Sequence, residues 1–177
     1  MKLKTLSAGI LAATLGLLWI ADCRRPPAYD WQSFASPDGK FAISFPGKPI
    51  LDEHPAKLAT GESYTSHRWT TKAADDAAFG CSWWEDPNLP NRSSDEMLNK
   101  IRDFGLYGVQ GRLISERRFT LQGYPAKDIE ARARGNLAMH NRIILVGTRV
   151  YTLLVFETSG KRNITNAERF FKSFSLH

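Results

Sequence analysis

The sequence contains few of the residues from which metal, disulfide and nucleophilic centres are built. Its 177 residues include two cysteines and four histidines. The histidines are scattered, and no two of them fall at a spacing that places two ligands on one helix face. If Cys23 is lipidated or removed, Cys81 has no partner for an internal disulfide, and its apolar surroundings favour a buried, inert thiol. We therefore predict no metal, no cofactor and no disulfide framework.

Motifs for nucleophilic and phosphate chemistry are absent as well. No Gly-x-Ser-x-Gly segment occurs, and the glycines of residues 105–111 follow a predicted helix, so they do not form a phosphate-binding loop. The acids Asp75, Asp76, Glu85 and Asp86 are candidates for paired-carboxylate chemistry, but acids in turns are usually solvated. We predict no enzymatic activity. The alternative is a cell-envelope hydrolase or carbohydrate-binding protein that uses these acids near an exposed tryptophan.

The overall composition is that of one globular domain. Hydrophobic residues make up 42% of the chain and charged residues 24%, which excludes a disordered or collagen-like protein. After any N-terminal export segment about 150 residues remain, enough for one hydrophobic core and too few for two. We predict a single domain over residues 31–177.

The N-terminus has the features of an export signal. Lys2 and Lys4 precede an uncharged, apolar stretch over residues 6–21, long for a signal peptide and short for a membrane span of ~20 residues. The segment ending at Cys23 is similar to a bacterial lipobox, except that Asp22 stands where a small residue is usual. Residues 1–23 are thus a lipoprotein signal, an uncleaved membrane anchor or the signal of a secreted protein, and 24–30 form a linker. All three place the domain outside the cytoplasm, membrane-anchored, periplasmic or extracellular.

Turns and apolar periodicity predict the first part of the fold. The turn at residues 36–39 is followed by Phe41, Ile43 and Phe45 in strict alternation, which is typical of a hairpin. Residues 50–61 contain Pro55 and are interpreted as an irregular connection.

The remaining elements alternate between strands and two helices. A capping-box spacing predicts a helix from Ser93 that ends in the glycines 105–111, and another predicts a helix from Thr165. Short glycine-containing breaks favour antiparallel pairing of consecutive strands. The predicted strands are Ser63–Lys72, Ala78–Glu85, Arg112–Leu121, Tyr124–Ala133, Leu137–Val146 and Arg149–Thr158. We expect an α/β (α+β) sandwich in which helices cover both faces of a mostly antiparallel sheet.

Several of these segments resemble the PsbP-like superfamily, including its DcrB-like lipoproteins. The resemblance rests on the Pro-Asp-Gly-x-Phe-x-Ile-x-Phe-Pro hairpin (37–46), the Gly-Tyr-Pro-Ala turn (123–126), the Val-Tyr-x-Leu strand (150–153) and the closing Phe-x-x-Ser-Phe (170–174). These motifs concern turns and helix anchors. The resemblance therefore implies a fold, and it implies a non-enzymatic protein that docks onto membrane complexes or other proteins.

Two regions are candidate partner-binding surfaces. Residues 112–149 carry a net charge of +5, and a basic surface outside the cytoplasm usually meets anionic lipid or acidic protein, not nucleic acid. Trp84 faces outward if its segment is a regular strand. A solvated basic face and a Trp84 packed under loop 86–92 or under a helix are the alternatives, and a small-ligand carrier would need a deep apolar pocket. The candidate residues are Trp84, Arg117, Arg118, Arg132 and Arg134.

Overall fold

The computed structural model describes residues 29–57, 63–73, 76–158 and 164–177. The predicted export segment with Cys23, and residues 24–28 of the predicted linker, lie outside these residues. The helices are α1 (Ser94–Gly108) and α2 (Ile164–Lys172). The strands are β1 (Trp31–Ser36), β2 (Phe41–Pro46), β3 (Ile50–Lys57), β4 (Ser63–Lys72), β5 (Ala78–Glu85), β6 (Arg112–Leu121), β7 (Tyr124–Ala133), β8 (Leu137–Val146), β9 (Arg149–Glu157) and β10 (Ser175–Leu176).

The strands form two antiparallel sheets. The larger has seven strands in the order β3-β4-β5-β9-β8-β7-β6, and the smaller has three in the order β1-β2-β10. The mostly antiparallel architecture with two helices agrees with the sequence-based expectation, but the expectation of one sheet does not hold. The β1–β2 hairpin packs its apolar side against a face of the large sheet instead of joining its edge, as two stacked sheets do.

The segment interpreted as an irregular connection is the edge strand β3. Pro55 lies within it, opposite Thr65 of β4. An edge strand pairs on one side only, so the N–H that proline lacks is not needed for the ladder. The prediction of irregular structure at residues 50–57 was wrong for this reason.

Helix α1 begins where the capping-box spacing places it, but without the expected side-chain cap. Ser93 occupies the N-cap position and its side chain makes no capping hydrogen bond. The helix continues past Gly105 and ends at Gly108, so the first of the three glycines does not terminate it. A buried face that includes Met97 and Leu98 holds this helix on the sheet, which outweighs the weak helix propensity of glycine.

The large sheet is covered on its two sides by different elements. On one side lies α1, over β7 and β8, and its own Leu98 is fully buried against the sheet. On the other side the three-stranded sheet and α2 enclose the main core, in which Phe41 and Phe170 are fully buried. We call these the α1 side and the small-sheet side. The expectation of a helix over each face is thus replaced, on the small-sheet side, by a sheet together with α2.

Cys81 lies in this main core. It is fully buried, and burial raises the pKa of its thiol well above the ordinary value. A thiol that resists ionisation is a poor nucleophile, in agreement with an inert core cysteine.

Among the described residues, no helix is long and apolar enough to cross a membrane.

Candidate binding surfaces

Trp83 and Trp84 point to opposite sides of the large sheet, as strand alternation requires. Trp83 is buried on the small-sheet side, where it stacks on His67 with ring centroids 4.4 Å apart and lies 4.6 Å below the Arg149 guanidinium. Trp84 lies on the α1 side and is half-buried, with the Tyr64 ring 5.9 Å away. Trp84 is therefore neither free in solvent nor fully covered by the loop that follows it.

The sheet around Trp84 is a surface that α1 covers only in part. Because α1 lies over β7 and β8, the same side of β4, β5 and β9 presents side chains that are only half-buried. Two of them, Ser82 and Thr152, share a hydrogen bond of 2.6 Å between their hydroxyl oxygens. We call this surface the open face. Its residues are Tyr64, Ser82, Trp84, Thr152, Leu154 and Phe156.

A small charged group borders the open face at the sheet edge. Arg68 donates a hydrogen bond of 2.7 Å to the Asp52 carboxylate, and His54 lies 2.6 Å from the same oxygen. The hydrogen bond from Arg68 is the main reason why the pKa of Asp52 is lowered. Burial raises the pKa of Tyr64 on the neighbouring strand. The open face thus joins an aromatic centre to a polar rim, the composition of many protein interfaces.

The acids proposed for catalysis do not converge beside Trp84. Glu85 follows it on the opposite side of the sheet and accepts a hydrogen bond of 2.9 Å from Arg149. Asp86 is 1% exposed and holds the following loop through the Asn88 N–H and the Arg92 guanidinium.

The two remaining acids do not extend the group near Trp84. Asp76 forms an ion pair with Lys72, and Asp75 lies outside the described residues. A paired-carboxylate cleft is therefore not formed by Glu85 and Asp86.

Two of the four candidate arginines are held in ion pairs. Arg117 lies 2.9 Å from Asp128, which also accepts two hydrogen bonds from Arg142. Arg118, on the other side of β6, pairs with Asp95 at the start of α1. Their charges are thus partly balanced within the domain, and exposed pairs of this kind contribute little to stability.

The other two candidates, Arg132 and Arg134, have no ionic partner among the described residues, nor does Arg112. Arg112 and Arg132 stand directly opposite each other on β6 and β7. Arg134 lies in the exposed turn after β7, where its N–H bonds the Val109 carbonyl at the end of α1. Sequence reasoning did not single out Arg112, because only the β6–β7 register reveals that it faces Arg132.

Trp84 and the candidate arginines do not form one continuous surface. β5 and β6 are separated by three strands, so Trp84 lies about 20 Å from β6. Arg118 shares the α1 side with Trp84, while Arg117 is on the opposite side. They are two separate surfaces, and binding at either of them stays a prediction.

One basic residue of segment 112–149 belongs to the interior. Lys127 is 6% exposed and donates hydrogen bonds to Asn99 of α1, at 2.5 Å, and to Glu116 of β6, at 3.1 Å. Arg102 of α1 donates to Glu116 at 2.6 Å, and this bond is the main reason why the pKa of Glu116 is lowered. This network joins α1 to β6 and β7, so Lys127 serves the fold and is not available to a partner.

An open cavity of about 310 Å³ lies where β5 begins and β9 ends, next to the end of α1. Its lining is mainly apolar and includes Val109, Leu137 and Phe156, with Arg134 at its border. This volume is at the lower end of the range for small-molecule sites, and the cavity is open. It is not the deep pocket between helix and sheet that a ligand carrier would need. No group of three or more potential metal ligands is found within the described ranges.

The chain was compared with known families, curated proteins and solved structures. No family model and no curated protein match it. Among solved structures, the solution structure of cyanobacterial PsbP (CyanoP) from Synechocystis sp. PCC 6803 is similar, with a TM-score of 0.57 and 10% identity, over 89% of this chain and 99% of that one. A protein of unknown function from Pseudomonas aeruginosa aligns over 80% of this chain and 91% of its own, at 11% identity and a TM-score of 0.43.

The fold is therefore PsbP-like, which confirms the resemblance seen in the sequence motifs. At such low identity the likeness concerns the fold alone, and function has to be argued from the surfaces of this chain.

Proposed function

We propose that this protein is an exported, membrane-tethered domain that has no catalytic activity and binds a protein partner of the cell envelope. The tether is the N-terminal segment 1–23, either through a lipid on Cys23 or through the apolar stretch itself. The partner binds the open face around Trp84.

The observation that carries this proposal is the open face itself. Trp84 and Tyr64 lie side by side, half-buried, on a sheet surface that α1 covers only in part, and Leu154 and Phe156 continue it. Large aromatic side chains contribute strongly to binding because they exclude much water while losing little conformational entropy. A sheet face with half-buried aromatics is therefore suited to a protein partner.

The position of the nearby acids supports binding over catalysis. Glu85 and Asp86 are engaged with Arg149 and Arg92, and neither shares a cleft with Trp84. The hydrolase alternative would need two carboxylates converging on one substrate atom.

Site-specific photo-crosslinking in intact cells tests the partner. Benzoylphenylalanine replaces Tyr64 or Phe156 on the open face, and Tyr124, which is exposed at the start of β7, is the control position. We expect one and the same crosslinked protein from both open-face positions, none from Tyr124, and loss of that product in a Trp84→Ala background that retains its circular dichroism. An identical product from Tyr124, or none from the open face, would contradict the proposal.

Vesicle flotation tests the tether separately. We expect the full chain to float with lipid vesicles of any charge, because insertion of an acyl chain or apolar segment does not need anionic lipid. A chain that stays in the soluble fraction would exclude the tether without deciding whether the open face binds a partner.

A further inference from the structure

One end of the large sheet combines three features that the proposed function does not use. It is the end at which β6 begins, β7 ends and α1 ends, and we call it the Arg112 end. The opposite end, where β7 begins, we call the Tyr124 end. The antiparallel register sets Arg112 beside Arg132, Ala138 and Glu157 on successive strands, so these residues share the Arg112 end.

The first feature is unbalanced positive charge. Arg112 and Arg132 are direct cross-strand neighbours, an arrangement that repels, and neither has an ionic partner among the described residues. Arg134 follows in the turn. The acids on the same side are Glu130, two residues before Arg132, and Glu157, two strands away and 2% exposed, so the three arginines exceed these acids by one charge. Like charges directly opposite each other destabilise a sheet, so an anion bound between Arg112 and Arg132 would reduce their mutual repulsion.

The second feature is exposed apolar surface at the same end of the sheet, on the α1 side, whereas the strand register puts Arg112 and Arg132 on the small-sheet side. Tyr107 in the last turn of α1 is 85% exposed, and Phe104 one turn earlier is 76% exposed. Ile114, at the bulge near the start of β6, is 50% exposed. Large apolar side chains that protrude at the same end of a domain as arginines suit a surface that enters the boundary between lipid headgroups and acyl chains.

The third feature is the position at which the chain enters the domain. Tyr29 and Trp31 pack on Phe79 near the start of β5, with ring centroids 5.8 and 5.9 Å from it. Ala78, the neighbour of Phe79, and Arg134 both line the open cavity, so the N-terminal residues of the domain lie near the Arg112 end. Residues 24–30 reach at most about 25 Å when fully extended, which limits how far the domain can be from the apolar N-terminal segment.

From these three features we infer that the Arg112 end is a membrane-docking surface that binds the phosphate groups of anionic lipids. Arg112, Arg132 and Arg134 contact the headgroups, and Tyr107, Phe104 and Ile114 enter the interface. This inference rests on the proposed tether for its geometry. It also assigns an orientation: the Tyr124 end points away from the membrane.

The test uses the full chain with a fluorophore at either end. Gly108→Cys places a thiol beside Tyr107, where an added Cβ meets nothing within 4 Å, and Tyr124→Cys is the matched position at the other end. A nitrobenzoxadiazole label, whose emission rises when it leaves water, is attached to each variant. Labelling of the unsubstituted chain gives the background signal from the native Cys23 and Cys81. Labelling of Cys81 is slow because burial raises the pKa of its thiol.

On vesicles that contain phosphatidylglycerol, we expect emission to rise for the label at 108 and not at 124. On phosphatidylcholine alone, or with salt raised from about 0.1 M to about 0.5 M, the rise should fall because anionic charge is absent or screened. Inorganic phosphate alone should change neither signal, which distinguishes a lipid surface from a free phosphate site.

Charge variants with a matched control identify the residues. In the Gly108→Cys background, Arg112→Gln with Arg132→Gln should lower the ratio of docked to undocked domain about tenfold or more. Arg117→Gln with Arg118→Gln removes the same net charge from the same two-stranded region, but from residues that have ionic partners. This control should change the ratio less than about twofold.

The outcomes separate the inference from the tether. A chain that floats while the two labels respond equally, or not at all, overturns the docking surface and leaves the tether standing. A chain that does not float on neutral vesicles but shows the response at 108 on anionic ones supports the docking surface without the tether. A chain that neither floats nor responds overturns both, and an equal loss in the two arginine pairs overturns the assignment to Arg112 and Arg132.

Discussion

Phe170 of α2 should be one of the side chains on which the stability of the domain depends most. It is fully buried, and its ring lies 5.3 Å from that of Phe45 in the small sheet and 5.4 Å from that of Phe79 in the large sheet. Phe170→Ala therefore removes a contact that joins three elements. For a phenylalanine buried in this way, substitution by alanine lowers the free energy of unfolding by about 3–5 kcal/mol, because transfer free energy is lost and a cavity remains.

Phe104 of α1 provides a matched control, because it is the same residue type on the other helix and is 76% exposed. Phe104→Ala should change the free energy of unfolding by less than about 0.5 kcal/mol. In urea unfolding of the full chain followed by near-ultraviolet circular dichroism, Phe170→Ala should lower the midpoint by about 2 M at an unchanged slope. Equal midpoints for the two variants would refute the assignment of Phe170 to the main core.

Three further predictions follow from single contacts. Tyr151→Phe removes the hydroxyl that donates a 2.7 Å hydrogen bond to the Gly39 carbonyl, so it should cost about 1–3 kcal/mol in the same assay; no loss would mean that water replaces the hydroxyl. Cys81 should react with a thiol reagent only in denaturant, since burial raises its pKa; rapid native labelling would contradict its place in the core. The hydrogen bond from Arg102 is the main reason why the pKa of Glu116 is lowered in the folded state. The ionised Glu116 carboxylate therefore stabilises the fold at pH values above its unfolded-state pKa, and this stabilisation is lost as the pH falls through the lower folded-state pKa. Glu116→Gln should flatten the acid limb of a stability–pH curve, and an unchanged limb would count against the contact.

Local patterns were informative where neighbouring residues decide the structure. The alternation of Phe41, Ile43 and Phe45 reports a strand with one buried side, and the structure buries all three. Trp84 was expected to face away from the core if its segment is a regular strand, and its neighbour Trp83 is accordingly the buried one of the two. Both features depend on backbone geometry over a few residues, and the sequence contains that information directly.

Patterns failed where a distant element changes what a residue needs. Pro55 suggested irregular structure, but its place on the edge strand β3 removes the need for its N–H. The first hairpin was expected to belong to the same sheet as the other strands, and it forms a second sheet. The alternation shows that one side of the hairpin is buried. It does not say whether the hairpin extends the large sheet at its edge or stacks on its face.

The candidate surfaces show the same division. The excess of arginine in residues 112–149 is visible in the sequence, and so is the outward parity of Trp84. The structure removes Lys127 from the surface, balances Arg117 and Arg118 with acids, and leaves Arg112 beside Arg132. Which charges are balanced depends on distances of a few ångströms between residues that are far apart in the chain, because electrostatic attraction in water is short-ranged.

The sequence by itself therefore determined most of the strand and helix segments, the resemblance to PsbP-like domains and the total charge. Strand order and packing decided the rest. They separated Trp84 from β6 by three strands, left the sheet face beside α1 half-covered, and gathered exposed apolar side chains at the same end as Arg112 and Arg132, which have no ionic partner in the described part of the chain. Periodicity records which side of an element a residue occupies, whereas neighbours across a sheet are set by the whole fold, since hydrophobic and electrostatic contacts act through space and not along the chain.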